Sequence, residues 1–160
     1  MDTLDQIDRK ILEILSDNAA ATATEMMPCL NLSIPAINKR IQRLRESGVI
    51  RRYTVLTDPE LVGKPICAFI LVVLQQGTDF DRLMQFVQED PDILECCGVT
   101  GEYDYLLKIC VANMGALQKK INYMKKAAGV VKSHTMFSLT QYKHTVSVLP
   151  DETQERKDVK

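Results

Sequence analysis

The chain has 160 residues and a formal net charge of −1, with 46% hydrophobic and 26% charged residues. These proportions are globular and the length allows one ordinary domain or two small ones, so a disordered chain and a large multidomain enzyme are excluded. The longest apolar run, residues 66–74, is too short for a membrane span, which needs roughly 20 residues. The N-terminus has no signal-peptide pattern, so we expect a cytoplasmic protein without a membrane partner.

Charge is unevenly distributed along the chain. Residues 33–52 hold six basic side chains and one acidic side chain, whereas residues 1–32 have a net charge of −4. A block of +5 in a nearly neutral chain indicates where a polyanion could dock.

The first 31 residues predict two helices. Apolar residues at positions 4, 7, 11, 14 and 15 recur at helical spacing, and this first helix should end at Asp17. Thr22 and Glu25 form a capping-box pattern that begins a second helix, which Pro28 should shorten or bend. Asn31 then tolerates the left-handed backbone that a tight turn needs.

A third helix has the clearest boundaries. Ser33 is a candidate N-cap, Pro35 suits the first turn, and Gly48 suits the position after the last turn. Its inner face is apolar and its outer face is mostly basic, so the three helices form a helix-turn-helix pattern. An exit strand over 49–56 would complete a DNA-binding domain at 1–57, and residues 58–65 would form a linker.

The second half predicts alternating strands and helices. Strands are expected over 66–74, 93–100, 103–112 and 130–139, and helices over 79–89 and from Met114 to Gly129. A further strand over 142–149 could follow. The order β-α-β-β-α-β predicts a ferredoxin-like domain over 66–149, a flexible tail over 150–160, and an α+β fold class overall.

The five cysteines, at positions 29, 67, 96, 97 and 110, form no Cys-x-x-Cys motif, and the only histidines are His134 and His144. An odd count in an intracellular chain makes a disulfide framework an unfavoured interpretation. We expect small core hydrophobes, with no metal site and no cofactor.

Three stretches in order resemble the Lrp/AsnC family of prokaryotic transcription regulators, also called feast/famine regulatory proteins. The first is Leu4-Asp5-x-x-Asp8-x-x-Ile11-Leu12. The second is Leu32-Ser33 followed by Arg40-Ile41-x-x-Leu44-x-x-x-Gly48-Val49-Ile50. The third is Thr100-Gly101-x-Tyr103-Asp104-Tyr105-Leu106-Leu107. The chain departs from the family pattern at Pro28, and at Ile34, where many members have a proline.

The resemblance implies a winged-type helix-turn-helix domain and a ferredoxin-like domain that dimerises and binds a small molecule. The expected partners are double-stranded DNA, copies of the chain itself in homodimers that assemble further to octamers, and an effector that is typically an amino acid. The expected location is the prokaryotic nucleoid.

The candidate DNA-binding residues lie on the third helix and its N-cap. Residues near the start of a recognition helix reach base edges, whereas later basic and amide side chains contact bases or phosphates. The predicted set is Ser33, Pro35, Ala36, Asn38, Lys39, Arg40, Gln42 and Arg43.

The candidate effector site is the turn between the second and third strands. Asp104 could accept from an ammonium group, and backbone N–H groups around Gly101 could donate to a carboxylate. The turn also has a plain structural interpretation as a hairpin connection. The predicted set, in which Thr135 is the least favoured, is Thr100, Gly101, Tyr103, Asp104 and Thr135.

These observations favour a sequence-specific DNA-binding regulator whose assembly or DNA affinity responds to a small molecule. One alternative is an architectural DNA-binding protein without an effector. A less favoured alternative is an enzyme that resembles the sirohaem decarboxylases. The second half offers arginine only at Arg82 and Arg156, and it has no Ser/His/Asp set, so we predict no catalytic residues.

Overall fold

Three N-terminal helices pack around a small apolar core. The computed structural model describes residues 4–75 and 80–151. Its first helices are α1 (Gln6–Asp17), α2 (Ala23–Leu30) and α3 (Ile34–Glu46). Full burial of a Leu, Ile or Met side chain stabilises a fold by about 1.5–3 kcal/mol. The side chains that fill this core are Ile11, Leu15, Met26, Leu30, Ile37 and Leu44.

Local capping sets the boundaries of these helices. The predicted capping box of Thr22 and Glu25 is confirmed at the start of α2. The prediction that Pro28 leaves a short helix is also confirmed, since α2 has eight residues. Asn31 has a φ of 51°, so the turn between α2 and α3 uses the expected left-handed conformation. Ser33 occupies the N-cap position of α3, but its hydroxyl makes no capping hydrogen bond.

The second half forms an antiparallel sheet covered by two helices on one face. Its elements are β1 (Ile66–Leu74), α4 (Phe80–Glu89), β2 (Ile93–Gly98), β3 (Tyr105–Val111), α5 (Met114–Ala127) and β4 (Val130–Phe137). The strand order β2-β3-β1-β4 confirms the predicted ferredoxin-like arrangement. The core of this half comprises Ala68, Ile70, Val72, Leu83, Leu107, Ile109, Val111, Leu117, Met124, Ala128 and Val130.

The other face of the sheet carries the alternate residues of β1 and β3. Cys67 lies opposite Cys110, Phe69 opposite Lys108, and Leu71 opposite Leu106. Because successive side chains of a strand point to opposite faces, these residues point away from α4 and α5.

The chain divides into two compact units. Of the described residues, 4–55 and 143–151 belong to the first unit and 56–142 belong to the second. Asp79, where the fourth helix was expected to begin, lies outside the described residues, as do residues 152–160 of the expected tail. No helix in the described ranges is long and apolar enough to cross a membrane.

Two expected strands do not form in a single chain. Residues 51–58 and 143–150 have no strand assignment and pair with no other strand among the described residues. Val55 is 83% exposed and Val148 is 98% exposed, so neither segment has a neighbour to complete a ladder. A strand requires such a neighbour, because its backbone N–H and C=O groups are satisfied across the ladder. The predictions of an exit strand and a fifth strand are therefore wrong for the isolated chain.

The expectation of unpaired cysteines is wrong for two of the five. Cys67 and Cys110 are joined by a disulfide, with their Cα atoms 4.1 Å apart. They are 43 residues apart in the sequence, and only the pairing of β1 with β3 brings them together. Cys29, Cys96 and Cys97 are free thiols.

Candidate DNA-binding and effector sites

The eight predicted DNA-binding residues lie on the outer side or flanks of α3 and on its N-cap. Ile37 and Leu44 point into the core, which fixes the opposite side of the helix toward solvent. Ala36 and Arg40 are half-buried. The exposed members of the set are Ser33, Pro35, Asn38, Lys39, Gln42 and Arg43.

Two arginines of α3 are bound to carboxylates of the same domain. Asp8 is fully buried; its Oδ1 accepts from Arg40 Nη1 at 2.8 Å and its Oδ2 accepts from Arg43 Nη2 at 2.5 Å. Arg40 Nη1 also donates to Asp5 Oδ2 at 2.6 Å. We call these four residues, Asp5, Asp8, Arg40 and Arg43, the arginine clamp. It joins the start of α1 to the middle of α3.

The same carboxylates also begin α1. Asp5 Oδ1 accepts from the Asp8 N–H at 2.8 Å, and Asp8 Oδ2 accepts from the Asp5 N–H at 3.2 Å. Burial raises the pKa of Asp5. Hydrogen bonds from the Asp8 N–H and the Arg40 guanidinium together lower that pKa by more than burial raises it, so the net pKa lies below the usual 3.8. The capping of α1 and the attachment of α3 therefore depend on one pair of carboxylates.

The arginine clamp changes the distribution of charge available to a polyanion. Two of the six basic side chains in the 33–52 block already face a carboxylate. Gln42 donates to Glu46 at 2.7 Å, so its amide also has a partner on the helix. Among the described residues, the basic side chains of this block that pair with no carboxylate are Lys39, Arg45, Arg51 and Arg52.

Asp5 and Asp8 were not among the predicted site residues. The available indication was the position of Asp8, which shares the apolar stripe of α1 with Leu4, Ile11 and Leu15 at helical spacing. A charged residue in such a stripe requires a buried partner. Which side chain supplies that partner depends on how α1 packs on α3.

The predicted effector turn connects β2 to β3 and is bound to the end of β1. The Asp104 N–H donates to the Val72 carbonyl at 2.9 Å, and the Val99 N–H donates to the Asp104 carbonyl at 3.0 Å. Asp104 Oδ2 accepts from the Leu74 N–H at 2.8 Å. Gly101 has a φ of 113°, a region that side chains with a Cβ rarely adopt. The turn is therefore fixed by main-chain hydrogen bonds of Asp104 and by one bond to its carboxylate.

An open cavity of about 550 Å³ lies beside this turn. Asp104 and Thr100 line it, and within the described residues the second carboxylate oxygen of Asp104 has no hydrogen-bond partner. This oxygen can accept from an ammonium group. The remaining lining residues are Leu74, Gln75, Gly98, Val99 and Tyr105.

The other three predicted effector residues do not line the cavity. Gly101 lies at the tip of the turn, and Tyr103 has its ring 4.7 Å below the Lys132 ammonium, which also pairs with Glu102 at 3.2 Å. Hydrogen bonding to Glu102 and the neighbouring Tyr103 ring raise the pKa of Lys132. Thr135 lies on the edge strand β4, where it pairs with Ile70 of β1 on the side that faces the helices.

No group of three or more His, Cys, Asp or Glu side chains in the described ranges is arranged to hold a metal ion.

Comparison with known families assigns both halves of the chain. Residues 4–51 match a winged helix-turn-helix DNA-binding domain, and residues 67–148 match the Lrp/AsnC ligand binding domain. The chain belongs to the Lrp/AsnC family of transcriptional regulators. It is a DNA-binding protein, and the relatives that it matches are transcriptional regulators rather than enzymes.

Two curated relatives of this Lrp/AsnC protein span nearly its whole length. It is 35% identical over 145 residues to the HTH-type transcriptional regulator FL11 of Pyrococcus horikoshii. That alignment covers 91% of this chain and 95% of the relative. It is 30% identical over 151 residues to the DNA-binding transcriptional activator DecR of Escherichia coli. That alignment covers 91% of this chain and 97% of the relative.

Solved structures of Lrp/AsnC regulators share the fold. A transcriptional regulator from Neisseria meningitidis in complex with L-methionine superposes with a TM-score of 0.87 at 32% identity, covering 91% of this chain and 96% of that one. The feast or famine regulatory protein from M. tuberculosis, also complexed with L-methionine, superposes with a TM-score of 0.83 at 28% identity, covering 92% and 100%.

Proposed function

We propose that this Lrp/AsnC regulator reads DNA with the exposed side of α3. The first two turns carry Pro35, Ala36, Asn38 and Lys39, and the small side chains there allow close approach to base edges. Lys39 is the exposed cation of α3 closest to its N-terminus, and it pairs with no carboxylate among the described residues. That free charge on the helix supports the proposal most directly.

The clamp divides the predicted DNA-binding set into two roles. Arg40 is three-quarters buried and bound by two carboxylates, so we assign it to holding α3. Arg43 has a 48% exposed side chain and donates to Asp8 through Nη2, which leaves the rest of its guanidinium for a phosphate. Ser33 and Gln42 complete the proposed phosphate contacts.

Selection of bound sequences from a random duplex library tests whether binding is sequence-specific. We expect enrichment of a palindrome, because a two-fold symmetric dimer presents two copies of α3 to two half-sites. Binding without enrichment of any sequence would favour the architectural alternative.

We further propose that the second unit binds a free amino acid in the cavity beside the turn. Asp104 would accept from the ammonium group, and Thr100 would contact the polar backbone of the ligand. The two L-methionine complexes among its structural neighbours support this ligand class. Gly101 would act through the shape of the turn, whereas Tyr103 and Thr135 remain proposed contacts that lie outside the cavity of one chain.

Calorimetry with L-methionine, preceded by thermal-shift screening of the twenty amino acids, tests the ligand class. Asp104→Asn keeps an oxygen for the Leu74 N–H but removes the charge, so we expect at least tenfold weaker binding with the fold intact. Glu102→Gln makes the same change two residues away, outside the cavity. Equal affinity in both variants, or no shift with any amino acid, would contradict the proposal.

We also propose that the chain forms homodimers that assemble to octamers. Residues 51–58 and 143–150 are largely exposed, belong to no helix or strand, and have no strand partner in one copy. A second copy could complete both ladders, since exposed strand edges promote pairing between chains. Native mass spectrometry measures the subunit count, and a monomer at micromolar concentration would contradict this assembly.

The proposed organisation keeps a DNA-binding domain at 1–57, a linker at 58–65 and an effector domain at 66–149. Within that linker, main-chain hydrogen bonds such as Lys64 N–H to Pro59 C=O form a compact turn. The proposed site of action is chromosomal DNA in the nucleoid.

A further inference from the structure

The disulfide lies directly across two neighbouring strands. Cys67 and Cys110 face each other in the register of β1 and β3. The Cys67 carbonyl accepts from the Ser138 N–H at 2.9 Å, and the Cys110 N–H donates to the Asp92 carbonyl at 3.0 Å. Their backbone polar groups therefore point away from each other, which is the close, non-hydrogen-bonded type of cross-strand pair. The two sulfurs are bonded directly across the regular pairing of β1 with β3.

The same end of the sheet anchors the residues that lead into β1. Lys64, three residues before Cys67, pairs with Asp92 Oδ1 at 2.5 Å, and Lys120 of α5 pairs with Asp92 Oδ2 at 2.9 Å. Asp92 also accepts the Cys110 N–H through its carbonyl. Closing the disulfide thus links β1 covalently to β3. The Cys110 N–H of β3 in turn binds Asp92, the ion-pair partner of Lys64.

We propose that Cys67 and Cys110 form a reversible thiol–disulfide pair whose closure secures the start of β1. A DNA-binding regulator works in the compartment that contains the chromosome, where thiols are kept reduced. Protein disulfides in such a compartment are usually transient and redox-sensing. Cys96, the partly buried free thiol, is less suited to this role. Burial and the neighbouring Cys97 raise the pKa of Cys96, which disfavours its reactive thiolate.

The exchange proceeds in two steps with a low-molecular-weight disulfide such as glutathione disulfide. Cys67 is the more exposed residue of the pair, since Cys67 is partly buried and Cys110 is only 4% exposed. The Cys67 thiolate attacks one sulfur of glutathione disulfide, and one glutathione thiolate leaves. Cys110 loses its proton to solvent and attacks the Cys67 sulfur, and the second glutathione thiolate leaves. Two protein thiols are oxidised and one disulfide is reduced to two thiols.

Thiol counting in glutathione buffers tests the pair. The folded full-length protein is equilibrated at a series of ratios of reduced to oxidised glutathione. It is then quenched in acid, denatured and alkylated, and its mass is measured by mass spectrometry. In the oxidised buffers we expect Cys67 and Cys110 to carry neither the alkylating group nor glutathione, because they form the internal disulfide, and in the reduced buffers we expect all five cysteines to be alkylated, with the same curve from either direction. The mass separates the internal disulfide from glutathione bound to exposed thiols such as Cys29 and Cys97. Five alkylated cysteines at every glutathione ratio, or only three even with excess dithiothreitol, would overturn the proposal.

Cysteine variants identify the residues and the consequence. Cys67→Ser and Cys110→Ala should each abolish the two-thiol transition, whereas Cys97→Ser, which removes an exposed free thiol, should leave it unchanged. Hydrogen exchange should accelerate on reduction in peptides covering 64–68 and 108–112 but not in those covering α1. A persistent transition in Cys67→Ser, or equal exchange in both redox states, would overturn the assignment.

Discussion

The two candidate sites are held by different interactions. The DNA-reading helix is fixed by the arginine clamp, in which a fully buried carboxylate bonds to two arginines. The effector turn is fixed by main-chain hydrogen bonds and by one bond from the Leu74 N–H to the carboxylate of the exposed Asp104. A substitution in the clamp should therefore cost folding free energy, whereas charge at the turn can change while the fold remains.

Removing the buried carboxylate should have the largest effect. Asp8→Ala leaves Arg40 and Arg43 without their shared partner and removes half of the α1 capping box. Loss of one member of a fully buried ion pair costs roughly 3–5 kcal/mol. We expect about 3 kcal/mol here, because Arg43 is half exposed and keeps part of its hydration. Urea unfolding followed by circular dichroism measures the loss.

Asp17→Ala is the matched control, since Asp17 is an exposed aspartate on the same helix. It should change stability by less than about 0.5 kcal/mol. A similar loss in both variants would mean that the arginine clamp does not stabilise the domain.

The turn can be broken through its glycine rather than its charge. At a φ of 113°, Gly101→Val forces a β-branched residue into a conformation that costs of order 1–3 kcal/mol. Gly98→Ala tests nearby backbone of ordinary φ, where a Cβ would meet its nearest neighbours at 3.9 Å. We expect the first variant to lower the melting temperature of the second unit and the second variant to leave it nearly unchanged. Equal melting temperatures would show that the turn adapts.

Local patterns in the sequence predicted most of the fold. Helical spacing, the capping box at Thr22 and the alternation in β1 and β3 depend on residues close together in the chain. The exit strand and the fifth strand were overpredicted, because propensity indicates an extended segment but not whether a neighbour exists to pair with it.

The sites were predictable only in part for the same reason. Composition located the basic block, and spacing placed its members on the outer side of α3. The sequence did not reveal that Asp8 faces Arg40 and Arg43, 32 and 35 residues away, or that Cys67 faces Cys110. Thr135 was grouped with the turn by resemblance, but the strand register places it beside Ile70.

The clamp also alters which basic residue should dominate the salt dependence of DNA binding. The sequence alone favours Arg43→Ala as the variant that flattens this dependence. With Arg43 bound to Asp8, we expect Lys39→Ala to give the larger change, reducing the slope of log K against log salt by about 0.9 for each phosphate that is no longer neutralised. Affinity should fall by a similar factor on every DNA sequence, because a phosphate contact carries no sequence information.

Fluorescence anisotropy at several salt concentrations measures both slopes. Lys10→Ala removes an exposed lysine of α1 and serves as the control for net charge. A larger slope change for Arg43→Ala than for Lys39→Ala would show that DNA displaces Asp8 from Arg43.

The smallest effect should be a modest loss of stability in acid, and it should occur in both units. Asp5 in the clamp and Asp92 beside Lys64 both have a net pKa below the usual 3.8, since hydrogen bonds from their cationic and backbone partners outweigh burial, which raises it. A carboxylate whose pKa is lower in the folded state stabilises the fold above its unfolded pKa. That stabilisation is lost as the pH falls from about 3.8 through the lowered value.

The melting temperature should therefore change little between pH 7 and 5 on account of these groups and decline below pH 4. Asp5→Asn should reduce the decline of the first unit and Asp92→Asn that of the second, because each variant has already lost the charge that acid would remove. If both variants declined as steeply as the wild type, other carboxyl groups would control the acid sensitivity of the two units.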